Sequence, residues 1–332
     1  MAPCTLILSR SDVRGLLSFD ELLAAMEQVF RSHGLGQTLG TGLLHGNGID
    51  GEFHIKAGGL LSEGGEAYYA VKANGGFFRN RERYGMPNIQ GAILLFDARN
   101  GYPLALMDSS EITGRRTAAT TALAALRLAR KDARVATVIG AGRQGRLHLE
   151  SLARVLSLER AFLADADPLA ASRCAAEVSG TVGFPVDAVT DSAAAVRQSL
   201  VVVTCTPSKA PVLHAADVQA GTFVAAVGAD SPDKQEIDPA LFGRAKVIPD
   251  ILEQCLLVGD LHHAVAAGVI GAQDIHAQFG EVIAGLRPGR SGDDEIILYD
   301  ATGTALQDAG AALLVYRNAL RQNAGARMNL FG

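Results

Sequence analysis

Between residues 11 and 30 apolar side chains recur at helical spacing, at Val13, Leu16, Leu17, Leu22, Leu23, Met26, Val29 and Phe30. Ser18, with Glu21 three residues later, resembles a capping box and starts a second helix there. From 34 to 65 the periodicity fades into a glycine-rich stretch with short strand-like pieces such as 53–56. Residues 68–72, 92–96 and 104–107 then read as β-strands, the last two joined by the turn Asp97-Ala-Arg-Asn-Gly101. An alanine- and leucine-rich helix opens at about Glu111 and runs to Ala129. Beyond it come short apolar runs at 135–139, 161–164, 200–205, 223–227, 245–249 and 295–300, separated by helical stretches such as 144–155 and 169–178. Strands alternating with helices predict a parallel, doubly wound sheet. A last helix, 306–322, places Leu306, Ala309, Leu313, Tyr316 and Leu320 on one apolar face. Too short to stand alone, it is expected to pack back onto the N-terminal part. The expected organisation is α/β throughout: a smaller lobe over 1–116, a doubly wound domain over 117–303, and a C-terminal helix in 304–332 that returns to the first lobe.

A chain of 332 residues is long enough for two domains. With 48% hydrophobic and 20% charged residues it is not a mostly disordered protein. A net charge of -5 without a long basic run argues against a nucleic-acid partner and for a small molecule. No apolar stretch approaches the roughly 18 to 20 residues that span a bilayer, and the N-terminus lacks the charged start and apolar core of a secretory signal. No membrane association and a cytoplasmic location are therefore expected. Cys4, Cys174, Cys205 and Cys255 are scattered without a Cys-x-x-Cys pair, which suits reduced thiols in structural roles.

One stretch carries specific chemistry. The apolar run 135–139 leads into Gly140-Ala141-Gly142-Arg143-Gln144-Gly145, then a helix, then a second apolar run closed by Asp165. A glycine-rich turn between a buried strand and a helix lets backbone amides and the helix N-terminus face a pyrophosphate, and an acid about 20 residues past the last glycine takes the ribose hydroxyls. Glycines at a strand-to-helix turn are common by themselves; the strand before, the helix after and the spaced acid make this a dinucleotide site of the Rossmann type. A carboxylate at Asp165 accepts from a 2'-hydroxyl and repels a 2'-phosphate, so NAD(H) is favoured, with NADP(H) possible if Arg143 or another arginine clamps the phosphate.

Hydride transfer to or from a nicotinamide needs an anion clamp for the substrate and a group that gives or takes a proton. Lys72 follows a strand and precedes Ala73-Asn74-Gly75-Gly76, read as a loop where backbone approaches a ligand. Arg116 stands at the start of the alanine-rich helix beside Thr117. Asp230 closes the strand that begins at Phe223, at the carboxyl end of the sheet. Taken singly, each has a plainer reading: a solvated lysine, an arginine capping a neighbouring carboxylate, a turn aspartate before Ser231-Pro232.

Their combination, with Gly85-Met-Pro, Ala105-Leu-Met-Asp108, Arg116-Thr-Ala-Ala119, Val138-Ile-Gly-Ala-Gly-Arg-Gln-Gly145, Val227-Gly-Ala-Asp230, Lys234-Gln-Glu, Gly280-Glu-Val-Ile-Ala-Gly285 and Thr302-Gly-Thr-Ala-Leu-Gln-Asp308, resembles the ornithine cyclodeaminase/μ-crystallin family over nearly the whole chain. That family includes archaeal-type alanine dehydrogenases and ketimine or pyrroline-2-carboxylate reductases. The resemblance implies a nucleotide domain plus a substrate-binding and dimerisation lobe that receives the C-terminal helix, hence a homodimer. It implies that Lys72 and Arg116 hold the substrate carboxylate, with Lys72 also at the reacting centre, that Asp230 works on the substrate nitrogen, and that His54 and Ile296 line the substrate side. On the cofactor side it adds Thr117, Thr204, Thr206 and Val227 to Gly140, Gly142, Arg143, Gln144, Gly145 and Asp165.

The implied activity is an NAD(P)H-dependent reduction of a small ketimine or cyclic imino acid, or amino-acid dehydrogenation in reverse. Ornithine cyclodeamination is the alternative, and a non-catalytic ligand-binding protein is an alternative of another class. Ornithine cyclodeaminases carry an arginine early in the first lobe and a glutamate on the following strand. Here Gly42-Leu-Leu-His45 has no arginine, and His54 stands at the glutamate position. With Lys56 it makes the pocket less acidic and suits a substrate without a distal amine. His54 is also a candidate auxiliary acid or base. His262-His263 beside Asp260 lacks a third ligand at suitable spacing, so no metal site is expected. Cys205 is expected to line the nicotinamide pocket, having no paired base.

Overall fold

A computed structural model of the chain describes residues 4–61 and 64–331. In chain order its elements are β1 (Thr5–Leu8), α1 (Arg10–Leu16), α2 (Phe19–Gly34), β2 (Thr38–Asn47), β3 (Glu52–Leu61), β4 (Ala67–Gly76), α3 (Asn80–Tyr84), β5 (Ile89–Asp97), β6 (Pro103–Asp108) and α4 (Ser109–Leu128). There follow β7 (Val135–Ile139), α5 (Arg143–Val155), β8 (Arg160–Ala164), α6 (Pro168–Val182), β9 (Val186–Val189), α7 (Ser192–Val196), β10 (Val201–Thr204), β11 (Lys209–Leu213), β12 (Phe223–Ala226), β13 (Gln235–Ile237) and α8 (Pro239–Phe242). The chain ends with β14 (Lys246–Pro249), α9 (Leu252–Val258), α10 (Asp260–Ala266), α11 (Phe279–Ile283), β15 (Ile297–Asp300), α12 (Ala305–Gln322) and β16 (Ala326–Met328). Two compact units result, one made from the chain up to Arg116 together with the residues from Thr304 on, the other from Thr117–Gly303.

The first unit is built on a seven-stranded sheet in the order β16-β1-β6-β5-β4-β3-β2, antiparallel except for the β1–β6 pair. Residues 73–76, expected as a loop, are the second half of β4. Asn74 pairs with His54 on one side and Gly91 on the other, and Gly75 with Phe53 and Gln90, so the backbone is held on both flanks despite its glycines. Lys72 is therefore mid-strand, opposite Lys56 and Ile93. The strand-like piece at 53–56 likewise belongs to a ten-residue strand.

Helix α2 starts at Ser18, whose hydroxyl accepts from the Glu21 N–H and donates to the Glu21 carboxylate, and it buries Leu22, Met26, Val29 and Phe30. Against it and against β3 and β4 lies α12. Close approach is possible because two glycines face the contact. A Cβ on Gly58 would lie 3.0 Å from the Ala305 Cβ, and one on Gly310 2.4 Å from a Val29 methyl. As a result α12 is buried nearly all round from Ala305 to Leu313, where one apolar stripe was expected. Leu320 of that stripe is 46% exposed, because it falls in the last turn, next to exposed Arg321 and Gln322.

The second unit holds a wholly parallel sheet in the order β14-β15-β12-β10-β7-β8-β9. Its inner strands have no exposed face: Val201, Val202, Val203, Phe223, Val224 and Ile297 are fully buried, as expected of a sheet covered on both sides. From β7 the chain steps outward to β8 and β9, then crosses back to β10 and continues the other way. The reversal between β7 and β10 opens a crevice at their carboxyl ends, where ligands of doubly wound folds bind. The late strand β15 lies inside the sheet, between β12 and β14. Strand β12 ends at Ala226, so Asp230 does not close it but stands four residues into the following loop. No helix of the described residues is long and apolar enough to cross a membrane.

Candidate functional site

The glycine turn sits at the β7/β10 crevice. Gly140 has φ +116°, a conformation that favours glycine, and a Cβ there would lie 2.8 Å from the Cys205 carbonyl oxygen. A Cβ on Gly145 would come within 1.8 Å of the Gly140 carbonyl, so the first turn of α5 packs on the loop only because residue 145 has no side chain. Gly142 caps α5 without any side-chain hydrogen bond and has open space at its Cβ position. Arg143 is exposed as the first residue of the helix, and the partly buried Gln144 has an Oε1 without a hydrogen-bond partner. Asp165, just past β8, accepts from Ala141 N–H at 2.7 Å through one oxygen and from Asp167 N–H at 2.9 Å through the other. These bonds fix the carboxylate beside the turn and leave lone pairs for further donors. Backbone clearance, a helix N-terminus and a fixed acid fit a dinucleotide.

The loops after β10 and β12 are tied together by a residue that sequence reasoning assigned no role. Glu236 is fully buried and accepts from the Thr204 hydroxyl (2.8 Å), Gly228 N–H (2.7 Å) and Thr206 N–H (2.5 Å). Burial, with Asp260 nearby, pushes its carboxyl up to about 7 even though the Thr206 and Thr204 bonds pull the other way. Gly228 admits no side chain, since a Cβ would lie 2.2 Å from the Thr206 carbonyl. Thr204 therefore contributes its hydroxyl to Glu236, and Val227 continues the sheet by donating its N–H to the Thr204 carbonyl. Cys205 is packed against the Ile139 and Gly140 carbonyls at 3.6 and 3.5 Å, and burial pushes its thiol up. The Asp230 side chain is 38% exposed and ion-paired at 2.6 Å with Lys234 four residues on.

In the first unit, two cations from two elements gather at one acid. Asp308, in the first turn of α12, pairs at 2.6 Å with the Lys72 ammonium of β4 and at 2.9 Å with the Arg116 guanidinium of α4. A second Arg116 nitrogen donates to Gln307 Oε1 at 2.7 Å, the same oxygen that accepts the Thr304 N–H in the capping box of α12. Lys72, Arg116 and Asp308 are each 3% exposed or less. Arg116 is not at the start of α4: the helix begins at Ser109, with Asp108 accepting the Glu111 N–H, and Arg116 lies two turns inside.

Burial pulls Lys72 down to about 7, helped by Arg116 and Lys56 and resisted by Asp308. Burial would raise Asp308, but Arg116 and Lys72 outweigh it and hold the carboxyl below its usual range. The cluster is a buried Lys72–Asp308–Arg116 arrangement in which two cations share one internal carboxylate. Asp308 was visible in the sequence only as the end of a quoted motif. Its part becomes legible once α12 is known to cross β4.

Of the remaining expected residues, His54 lies on β3 with Nε2 3.0 Å from the Glu52 carboxylate and its ring 4.6 Å from that of His45. Thr117 is partly buried in α4. Ile296 is 6% exposed and belongs to the apolar core of the second unit, with Val247, Leu298 and Ile237. The apolar character that marks it in the sequence serves the sheet. His263 hydrogen-bonds the Lys234 carbonyl at 2.9 Å, and its ring lies 3.8 Å from that of His262. Among the described residues no group of three or more His, Cys, Asp or Glu is arranged to hold a metal.

Residues 4–323 match the model of the ornithine cyclodeaminase/mu-crystallin family. An alanine dehydrogenase of Archaeoglobus fulgidus is 37% identical over 98% of this chain and 99% of its own. A solved archaeal alanine dehydrogenase dimer with bound NAD superposes with a TM-score of 0.91 at 35% identity, covering 99% of this chain and 100% of that one. The pyrroline-2-carboxylate reductase of Thermococcus litoralis, solved with NADH and L-proline, gives the same TM-score at 31% identity, covering 97% of this chain and 99% of the other. A glycine turn with its spaced acid, a buried Lys-Arg-Asp centre and full-length similarity lead to one assignment: the chain belongs to the ornithine cyclodeaminase/mu-crystallin family.

Proposed function

We infer that the protein is an NAD(H)-dependent oxidoreductase acting on the C–N bond of a small imino or amino acid. The observation that carries this reading is the convergence of Lys72 and Arg116 on a buried carboxylate, which builds a site for an anionic substrate in a chain that also presents a dinucleotide turn. Charge-assisted bonds from a planar guanidinium and an ammonium suit a carboxylate, and in a buried site they are strong.

When bound, NADH supplies the hydride that becomes the new C–H bond. The residues do the rest. Lys72 and Arg116 orient the substrate by its carboxylate. Asp230 stabilises the iminium or protonates the imine nitrogen, so that the C=N π pair remains on nitrogen as the C–H bond forms. Asp165 selects NAD(H) by accepting from the adenosine ribose. In reverse the same groups serve amino-acid oxidation. The dimer of the archaeal neighbour supports a homodimer here, for which sedimentation at micromolar concentration is the check.

The test is NADH oxidation with a panel of α-imino acids, cyclic and open-chain, followed at the nicotinamide absorbance, alongside ammonia release from ornithine. Turnover of an imine that falls by about 10²-fold or more in Asp230→Asn is expected. Ammonia release from ornithine without imine reduction would instead make the protein a cyclodeaminase. Tight nucleotide binding with no turnover of any substrate would make it a binding protein.

A further inference from the structure

Helix α5 starts at the glycine turn without the usual side-chain cap, since Gly142 at the cap position makes no side-chain hydrogen bond. An anchor lies one turn further in. His148 is fully buried, and its Nδ1 lies 2.7 Å from the carbonyl oxygen of Gln144, in the first turn of the helix. Its Nε2 lies 3.0 Å from the hydroxyl of Thr121 on α4, a residue that is itself buried. A carbonyl only accepts, so Nδ1 carries the proton and donates to it, and Nε2 accepts from the Thr121 hydroxyl. Burial pulls the imidazole down to about 4, against the upward pull of the Gln144 bond, so the ring is neutral near pH 7 and fills both roles.

The result is a continuous hydrogen-bonded bridge from α4, through the imidazole, to the backbone of the glycine turn. A core position that only needed filling would be served by an apolar side chain, with no polar group to desolvate. Two directed bonds to two different helices ask for more than bulk. The α4 end of the bridge is as telling as the α5 end. Thr117, expected on the cofactor side, stands four residues before Thr121 and so on the same face of that helix.

Resting on the placement of the nucleotide at the Gly140–Gly145 turn, we propose that His148 is a positioning residue for the cofactor. With Thr121 it fixes the first turn of α5 against α4, so that the amides of residues 143–145 and the Thr117 face of α4 keep the spacing a dinucleotide requires. Being fully buried, it acts through Gln144 and Thr121.

The test is NADH binding to the full-length protein by fluorescence titration, each variant being held below its own unfolding transition. Thr121→Val keeps the volume but leaves Nε2 without its donor, and it should raise the Kd for NADH about tenfold. Thr121→Ser keeps the hydroxyl and should stay within about twofold of the wild type. His148→Phe should lose at least as much as Thr121→Val. The double variant should bind no more weakly than His148→Phe alone, because the bridge is already broken.

Wild-type affinity in Thr121→Val, even with a lowered melting temperature, would reduce the bridge to a packing contact and overturn the proposal. So would losses from Thr121→Val and His148→Phe that simply add. If His148→Phe does not fold, the contrast between Thr121→Val and Thr121→Ser decides alone. Gly145→Ala keeps the underlying placement separate from the role of His148. Undiminished NADH binding in that variant removes the nucleotide from the turn altogether. Weakened binding in Gly145→Ala beside an unaffected Thr121→Val leaves the nucleotide in place and removes only the role of His148.

Discussion

At the scale of single residues, Lys72 is the group most open to a pH measurement. Its burial, with Lys56 on β3 and Arg116 on α4, favours loss of the proton, and only Asp308 on α12 opposes it. The charged form is the majority species below about 7, and it is the form that the proposed carboxylate-binding role requires. The free-enzyme profile of kcat/KM should therefore fall as pH rises through that value, and Lys72→Arg should remove the fall, because a guanidinium does not titrate there. A basic limb that survives Lys72→Arg would belong to another group. Asp308→Asn makes a linked prediction. With the opposing carboxylate gone, the limb should move to lower pH, and loss of the buried partner should reduce stability by about 3–5 kcal/mol in denaturant unfolding. An unmoved limb would show that Asp308 does not set the charge of Lys72.

At the scale of elements, the glycine turn is the sharpest case. A methyl group at residue 145 has nowhere to go, since its position lies 1.8 Å from the Gly140 carbonyl. Gly145→Ala should push α5 off the loop and weaken NADH binding by roughly tenfold or more in a fluorescence titration, a loss of about 1.4 kcal/mol. Wild-type affinity would mean that the turn does not hold the nucleotide.

This turn was also the most legible feature of the sequence, because strand, glycines, helix and acid lie within one contiguous stretch. The β3–β4 ribbon was the least legible. Gly58, Gly59, Gly75 and Gly76 lower strand propensity in isolation, and what keeps them extended is pairing on both flanks and the helix above them, which no local window contains. The same holds for the candidate site. Lys72, Arg116 and Asp230 could be named from motifs, but Asp308 acquires its role only across 192 residues from Arg116, and Glu236 only through loops that converge after β10 and β12.

At the scale of the whole molecule, the two units have different construction. The second is one continuous segment, Thr117–Gly303, with a sheet of seven parallel strands. Nucleotide that binds only its folded form should stabilise it by about 2.7 kcal/mol at a hundredfold excess over Kd. In hydrogen exchange the added protection should be largest in β7, α5 and β10. Protection confined to residues before 117 would contradict the assignment of the nucleotide to this unit.

The first unit is completed by α12 and by β16, which pairs with β1. That arrangement imposes an order in time. During synthesis Lys56, Lys72 and Arg116 leave the ribosome well before Asp308, which follows Arg116 by 192 residues. At 5–20 residues per second the delay is about 10–40 s. Throughout it the ribbon that carries the lysines has neither its covering helix nor its counter-charge, whereas the segment from 117 to 303 can already close on itself. The nascent chain can thus close the 117–303 unit on itself first, while the unit that carries Lys72 and Arg116 waits for α12 to bring Asp308 to them.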